Sequence, residues 1–136
     1  MARAKVLLVD DDPDFVEIGR TALESNGEYE VVTAFSADEA LEKARLERPD
    51  AVVVDMALDR PDSGLEVVRC LRSEGRDVPV MLLTANSSYS RLYDQVDGLG
   101  VRRMVRKPVE PRQFVSLVGR LMHPAFYELE PMGYEI

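Results

Sequence analysis

Asp10 and Asp11, Asp55, Thr84 and Lys107 each stand at the end of a short strand-like run, and together they carry the chemistry this chain can offer. Crowded carboxylates repel, and each raises the pKa of the others unless a cation sits among them. Hard oxygen donors of this number and charge suit Mg²⁺, which keeps several waters and completes its shell with phosphate oxygens. The Thr84 hydroxyl and the Lys107 ammonium complete a cradle for a phosphoryl group, since lysine binds phosphate as a point charge. An aspartate in such a cradle can be a nucleophile that forms an acyl phosphate. Asp55 alone would read as well as a loop residue; the other four give it meaning.

The elements that must gather these groups are legible in order. Ala51-Val52-Val53-Val54-Asp55, preceded by the break Pro49-Asp50, reads as a strand buried on both faces. Val6-Leu7-Leu8-Val9 is a second such strand, followed by Asp10-Asp11-Asp12 and by Pro13 at the first position of a helix. Phe15, Ile18, Ala22 and Leu23 give that helix its apolar spacing as far as Asn26-Gly27. Tyr29 to Phe35 is β-rich, and Ser36 with Glu39 forms a capping-box pair before a helix with Ala40, Leu41 and Ala44 on its apolar face.

After Asp55 comes a polar loop, Asp59 to Gly64, then a helix with Leu65, Val68 and Leu71, beside which Cys70 is a small core or boundary residue. Val80 to Leu83 is the fourth strand. Tyr89, Leu92, Tyr93 and Val96 predict a short fourth helix, and Val101 to Val105 a fifth strand ending in Arg106-Lys107-Pro108. The fifth helix starts near Glu110-Pro111 and turns Phe114, Val118 and Leu121, with Val115 and Met122, inward. Five β–α repeats imply a doubly wound, flavodoxin-like α/β domain, a parallel five-stranded sheet with helices on both faces. Parallel strands point their carboxyl ends the same way, so the chemical groups meet on one edge.

The domain is expected over residues 4–122, with residues 123–136 an acidic tail carrying aromatics. A net charge of -8 argues against nonspecific binding to nucleic acid or anionic membranes. A lone cysteine, Cys70, excludes an intrachain disulfide and fits a reducing, cytoplasmic setting. No signal peptide or bilayer-length apolar run is read in the sequence.

The apolar strand closing in Asp10-Asp11, the strand closing in Asp55, Leu83-Thr84-Ala85, and Lys107-Pro108 occur in this order over roughly residues 4–122. In these motifs the chain resembles a response-regulator receiver domain of bacterial two-component signalling. The resemblance implies a phosphoacceptor switch, not an enzyme. Asp55 would receive a phosphoryl group from a sensor histidine kinase, a phosphotransfer protein or a small acyl phosphate. Mg²⁺ would be held by Asp10, Asp11, Asp55 and the backbone carbonyl of Ala57. Thr84 resembles the switch hydroxyl and Lys107 the phosphate-binding lysine. Ala57 and Asn86 occupy positions that tune phosphoryl lifetime in similar proteins, and Asp12 reads as a helix N-cap, with metal ligation the alternative.

Three features depart from the family pattern. Asp59 stands where a proline is usual, with Pro61 the nearest, and the loop to Gly64 is one residue longer. Met104 stands where a switch aromatic is usual. No output domain follows, so the chain resembles a stand-alone receiver or a segment of a longer chain. Arg102, Arg103, Arg106, Arg112 and Arg120 suggest a solvated basic face. With Asp94 and Asp97 of a second copy it would support a phosphorylation-dependent homodimer through the fourth helix, fifth strand and fifth helix. His123 reads as a helix C-terminal cap.

Two rival readings use the same residues. A haloacid-dehalogenase-like phosphohydrolase would use Asp10 as nucleophile and Asp12 as general acid, but Asp14 stands where that family places Thr or Val, and Asp55 would go unused. A receiver-like binding module that is never phosphorylated would not need the full acid and lysine set.

Overall fold

A computed structural model describes residues 3–85, 94–123 and 134–135 of the chain. In chain order the elements are β1 Ala4–Val9, α1 Pro13–Glu24, β2 Tyr29–Ala34, α2 Ala37–Glu47, β3 Ala51–Asp55, α3 Ser63–Ser73, β4 Val80–Thr84, β5 Val101–Arg106, α4 Pro111–Leu121 and β6 Tyr134–Glu135. The helix expected around Tyr89 to Val96 falls mostly outside the described residues, of which residues 94–96 are helical. The expected fifth helix is therefore α4 here.

The strands form one parallel sheet in the order β2-β1-β3-β4-β5-β6. Chain direction across the sheet reverses between β1 and β3, which makes the carboxyl ends of these two strands the place where a ligand crevice opens. Alternate residues of each strand supply two separate cores. Leu7, Val9, Val52, Val54, Leu82 and Met104 pack with α2 and α3, through residues such as Ala40, Ala44, Leu65 and Val68. Val6, Leu8, Val53, Met81, Leu83 and Val105 pack with α1 and α4, through Leu23, Phe114, Leu117 and Val118. Burial on both faces is why β1, β3 and β4 are almost uniformly apolar.

Two details depart from the expected pattern. In α1 the buried stripe is Val16, Gly19 and Leu23, whereas Ile18 is 55% exposed. The helix is rotated because Gly19 lies closest to the sheet: a Cβ there would stand 3.0 Å from Leu8 Cδ2 and 3.3 Å from Phe114 Cε2. Glycine adds nothing to the apolar spacing of a helix, yet its small size is what lets α1 approach. The second departure is β6, which adds a two-residue sixth strand beyond β5.

In β5 the register against β4 shifts by one residue, with Val80 opposite Val101 and Met81 opposite Arg103. Arg102 is thus the extra residue of a bulge. The shift lets Val101 and Met104 face one core and Val105 the other. It also buries Arg103, which is 1% exposed. The basic face expected from the sequence therefore lacks Arg103: the strand's alternation turns it inward.

Candidate functional site

Asp10 immediately follows β1, Asp55 closes β3, Thr84 closes β4, and Lys107 follows β5. The sheet thus assembles them on one edge. Lys107 Nζ donates to Asp10 Oδ2 at 2.6 Å and to Asp55 Oδ2 at 2.9 Å, tying β5 to β1 and β3. Carboxylate oxygens of Asp10, Asp11 and Asp55 all lie within 4.8 Å of one another. Asp10 is fully buried, Asp55 nearly so, and Asp11 is exposed.

Local hydrogen bonds hold each acid in place. Asp10 Oδ1 accepts from the Asp12 backbone N–H at 3.0 Å, and Asp55 Oδ1 accepts from the Ala57 N–H at 3.2 Å. Asp12 accepts from the Asp14 N–H at 3.0 Å and is the N-cap of α1, with Pro13 in the first turn. Thr84 is buried, and its carbonyl accepts the Lys107 N–H at 2.8 Å, which continues the β4–β5 ladder to the lysine itself. The peptide bond Lys107–Pro108 is cis.

Burial pushes the Asp10 carboxyl above the usual range, against the pull of the Lys107 ammonium and the Asp12 N–H; the Asp55 charge pushes the same way as burial. Burial alone would lower the Lys107 ammonium, but its bonds to Asp10 and Asp55 dominate and raise it. The ammonium also stands 4.8 Å from the centroid of the Phe15 ring, which meets Phe114 edge-on at 5.8 Å. In the sequence Phe15 is one apolar position of a helix; its contact with the lysine is a tertiary fact that helical spacing does not reveal.

The loop after β3 is closed by two small residues, Ser63 and Gly64, whose packing the periodic sequence pattern does not reveal. Ser63 is fully buried; its Oγ accepts from the Leu58 N–H at 2.9 Å and donates to the Arg60 carbonyl at 2.8 Å. Gly64 donates to the Met56 carbonyl at 2.8 Å, and a Cβ on it would fall 2.0 Å from the Asp55 carbonyl oxygen. Only glycine permits that approach. Asp62 adopts a left-handed conformation in this loop, φ 64°. The sequence signal for this packing was the Ser-Gly pair where loop meets helix.

A pocket of about 370 Å³ opens over Asp55, lined also by Ala57, Pro61, Asp62, Thr84 and Lys107. Pro61 thus reaches the mouth of the site although it is displaced from the expected position. Two other depressions, near Arg48 and Arg76 and near Tyr29 and Asp50, lie at the amino ends of the strands, away from the acids. Met104 is fully buried in the core shared with Val96 and Leu82. His123 is exposed and donates its backbone N–H to Arg120. Asn86 lies outside the described residues.

A doubly wound sheet that clusters three acids and a lysine beyond its switch-point strands defines an α/β domain with one charged site at the carboxyl edge of its sheet. The chain belongs to the response regulator receiver domain family, whose sequence profile matches residues 6–119. Curated relatives include the alkaline phosphatase synthesis transcriptional regulatory protein PhoP of Bacillus subtilis, 39% identical over 87% of this chain and 48% of its own length. The response regulator MprA of Mycobacterium ulcerans is 46% identical over 87% of this chain and 50% of its own. The chain therefore spans about half the length of these curated relatives. Among solved structures, the chemotaxis response regulator CheY4 of Vibrio cholerae superposes with TM-score 0.78 at 29% identity, covering 88% of this chain and 99% of that one. The Francisella response regulator 1452 receiver domain gives 0.80 at 26% identity, covering 90% and 99%.

Proposed function

We propose that the chain is a phosphoacceptor switch whose acceptor is Asp55. The observation that carries this reading is the lysine bridge: one ammonium ties buried Asp10 to Asp55, and Asp55, Lys107 and Thr84 line one pocket. An Asp55 carboxylate oxygen attacks the phosphorus of a kinase phosphohistidine or a small acyl phosphate. The bond from phosphorus to the donor's nitrogen or oxygen breaks, and the donor leaves with that electron pair. Lys107 neutralises phosphoryl charge in the transition state and the product, so the protein's contribution is positioning and electrostatics. The Thr84 hydroxyl supplies a further donor to the transferred group.

The donor set fits Mg²⁺: three carboxylates within reach of one another, one of them exposed, and a buried acid whose ionisation calls for neutralisation. Asp10, Asp11, Asp55 and the Ala57 carbonyl would hold the ion, which when bound offsets charge on the phosphoryl oxygens. Phosphorylation then biases a pre-existing equilibrium of the surface around β5 and α4. Asp10 serves poorly as the nucleophile of a phosphohydrolase, because it is fully buried and does not line the pocket, and Asp12 is engaged as a helix cap.

Incubation with acetyl phosphate and Mg²⁺, followed by intact-mass measurement, tests the reading. The wild type gains one phosphoryl group and Asp55→Asn gains none. Equal labelling of Asp55→Asn would defeat it.

A further inference from the structure

Two N–H groups of the Lys107 ammonium go to Asp10 and Asp55. The same ammonium stands over the Phe15 ring, 4.8 Å from its centroid. A cation over an aromatic face is drawn to it by the ring quadrupole, and more strongly where water is partly excluded. The Lys107 side chain is only 22% exposed. The ring is itself held in place. Phe15 lies in the first turn of α1 and packs against the core that α1 shares with α4. Fully buried Phe114 of α4 meets it edge-on, with ring centroids 5.8 Å apart. Phe114 in turn lies 3.3 Å from where a Cβ on Gly19 would stand, one helical turn beyond Phe15 on the same face of α1. Glycine at that position makes room for the ring on which Phe15 rests.

We propose that Phe15 is a positioning residue for phosphoryl transfer: its ring, seated against Phe114, holds the Lys107 ammonium over the Asp10–Asp55 pair, where incoming phosphoryl oxygens need it. This role rests on the reading of Asp55 as the acceptor. A lysine side chain is long and flexible, and an ammonium that strays into water is lost to the transition state. One already in place stabilises developing charge with no reorganisation at the moment of reaction. The two kinds of neighbour also differ through the reaction. Asp55 loses its carboxylate charge on becoming an acyl phosphate and so loosens its hold on the lysine, whereas the attraction of the neutral ring is the same before and after.

The test places 4-fluorophenylalanine and 3,4,5-trifluorophenylalanine at position 15 of the full chain. Fluorination keeps nearly the shape of the ring while weakening its quadrupole step by step. Intact-mass time courses with acetyl phosphate and Mg²⁺ should show labelling that slows in that order, to about three- to tenfold below the wild-type rate with the trifluoro ring. Phe15→Leu, apolar but without an aromatic face, should slow at least as much, and Phe15→Tyr, which keeps the face, should stay within about twofold of wild type. Proton NMR adds a readout that needs no phosphoryl group: the ring current should move the Lys107 ε-methylene resonances upfield in the wild type, and Phe15→Leu should abolish that shift. Fluorinated proteins that label at the wild-type rate, or Lys107 resonances that ignore Phe15→Leu, would overturn the proposal. So would slow labelling by Phe15→Leu without slowing by fluorination, which would make the ring a packing residue only. Labelled wild type with indifferent fluorinated proteins sinks this role alone; a wild type that takes no label sinks the acceptor reading, and this role with it.

Discussion

Lys107 is the residue on which the site's charge balance turns. It is partly exposed, but one of its two partners is fully buried and the other nearly so. Removing one partner of such an arrangement leaves uncompensated charge, so Lys107→Ala should destabilise the metal-free protein by roughly 1–3 kcal/mol, the low end for a buried pair because the lysine is partly solvated. Mg²⁺ affinity, measured by calorimetry, should survive, since the lysine is not among the groups that would hold the ion; loss of binding would mean that the lysine organises the acids themselves. The pH dependence has a definite sign. Burial raises the Asp10 carboxyl above its unfolded value, so the folded state binds that proton more tightly, and the resulting stabilisation is lost as pH rises through the folded pKa. The defect of Lys107→Ala in EDTA should therefore shrink as pH falls from neutrality and Asp10 takes up its proton. Chemical denaturation at several pH values checks this, and a defect that grows on acidification would contradict it.

At the scale of elements, the β3–α3 connection decides where Asp55 sits. Ser63→Ala would leave the Leu58 N–H without its acceptor inside the fold, at a cost of about 1–3 kcal/mol in unfolding experiments. Gly64→Ala should do more harm, because the added methyl meets the Asp55 carbonyl, a backbone group, and α3 must retreat from the site. Slower labelling by acetyl phosphate as well as a lower melting temperature is expected for Gly64→Ala. A lower melting temperature with unchanged labelling would show that the helix does not position the acceptor.

The α2 cap is a control whose own hydrogen bonds do not go to the site's acids. Glu39 accepts from the Phe35 N–H and its carboxyl is held below the usual range, first by that bond and then by Lys43. That stabilisation is present above the unfolded pKa and lost as pH falls through the lower folded one. Glu39→Gln should thus flatten the acid limb of the stability curve without touching labelling.

The order and type of these elements were legible because buried parallel strands write themselves as unbroken apolar runs, and the cap Asp12 and the pair Ser36–Glu39 announce the helices that follow. The rotation of α1, the bulge that buries Arg103, and the Ser63–Gly64 closure were not legible. Each depends on a close approach between elements that are distant in sequence, and periodicity within one element carries no trace of it.

At the scale of the whole molecule, the doubly wound sheet accounts for why residues 10, 55, 84 and 107 meet at all. Placing them at the carboxyl ends of adjacent parallel strands lets the sheet itself bring acids to lysine. Crowding the acids has a cost that a cation relieves. Mg²⁺ should therefore stabilise the native state by RT ln(1 + [L]/Kd), about 1.4 kcal/mol at roughly ten times Kd, and Asp11→Ala should blunt the gain. A melting temperature that does not move between EDTA and saturating Mg²⁺ would count against the site. Of the basic residues near β5 Arg103 is buried, so the expected basic face is reduced to Arg102, Arg106, Arg112 and Arg120. No helix among the described residues is long and apolar enough to cross a membrane.

The most direct test of the acceptor assignment is chemical mapping of the phosphorylated protein. Borohydride reduces an aspartyl phosphate to homoserine, which marks the acceptor residue permanently. After acetyl phosphate and Mg²⁺, peptide mass mapping should find homoserine at position 55 and aspartate unchanged at positions 10, 11 and 12. Homoserine at position 10 would contradict the account and establish the buried acid as the nucleophile.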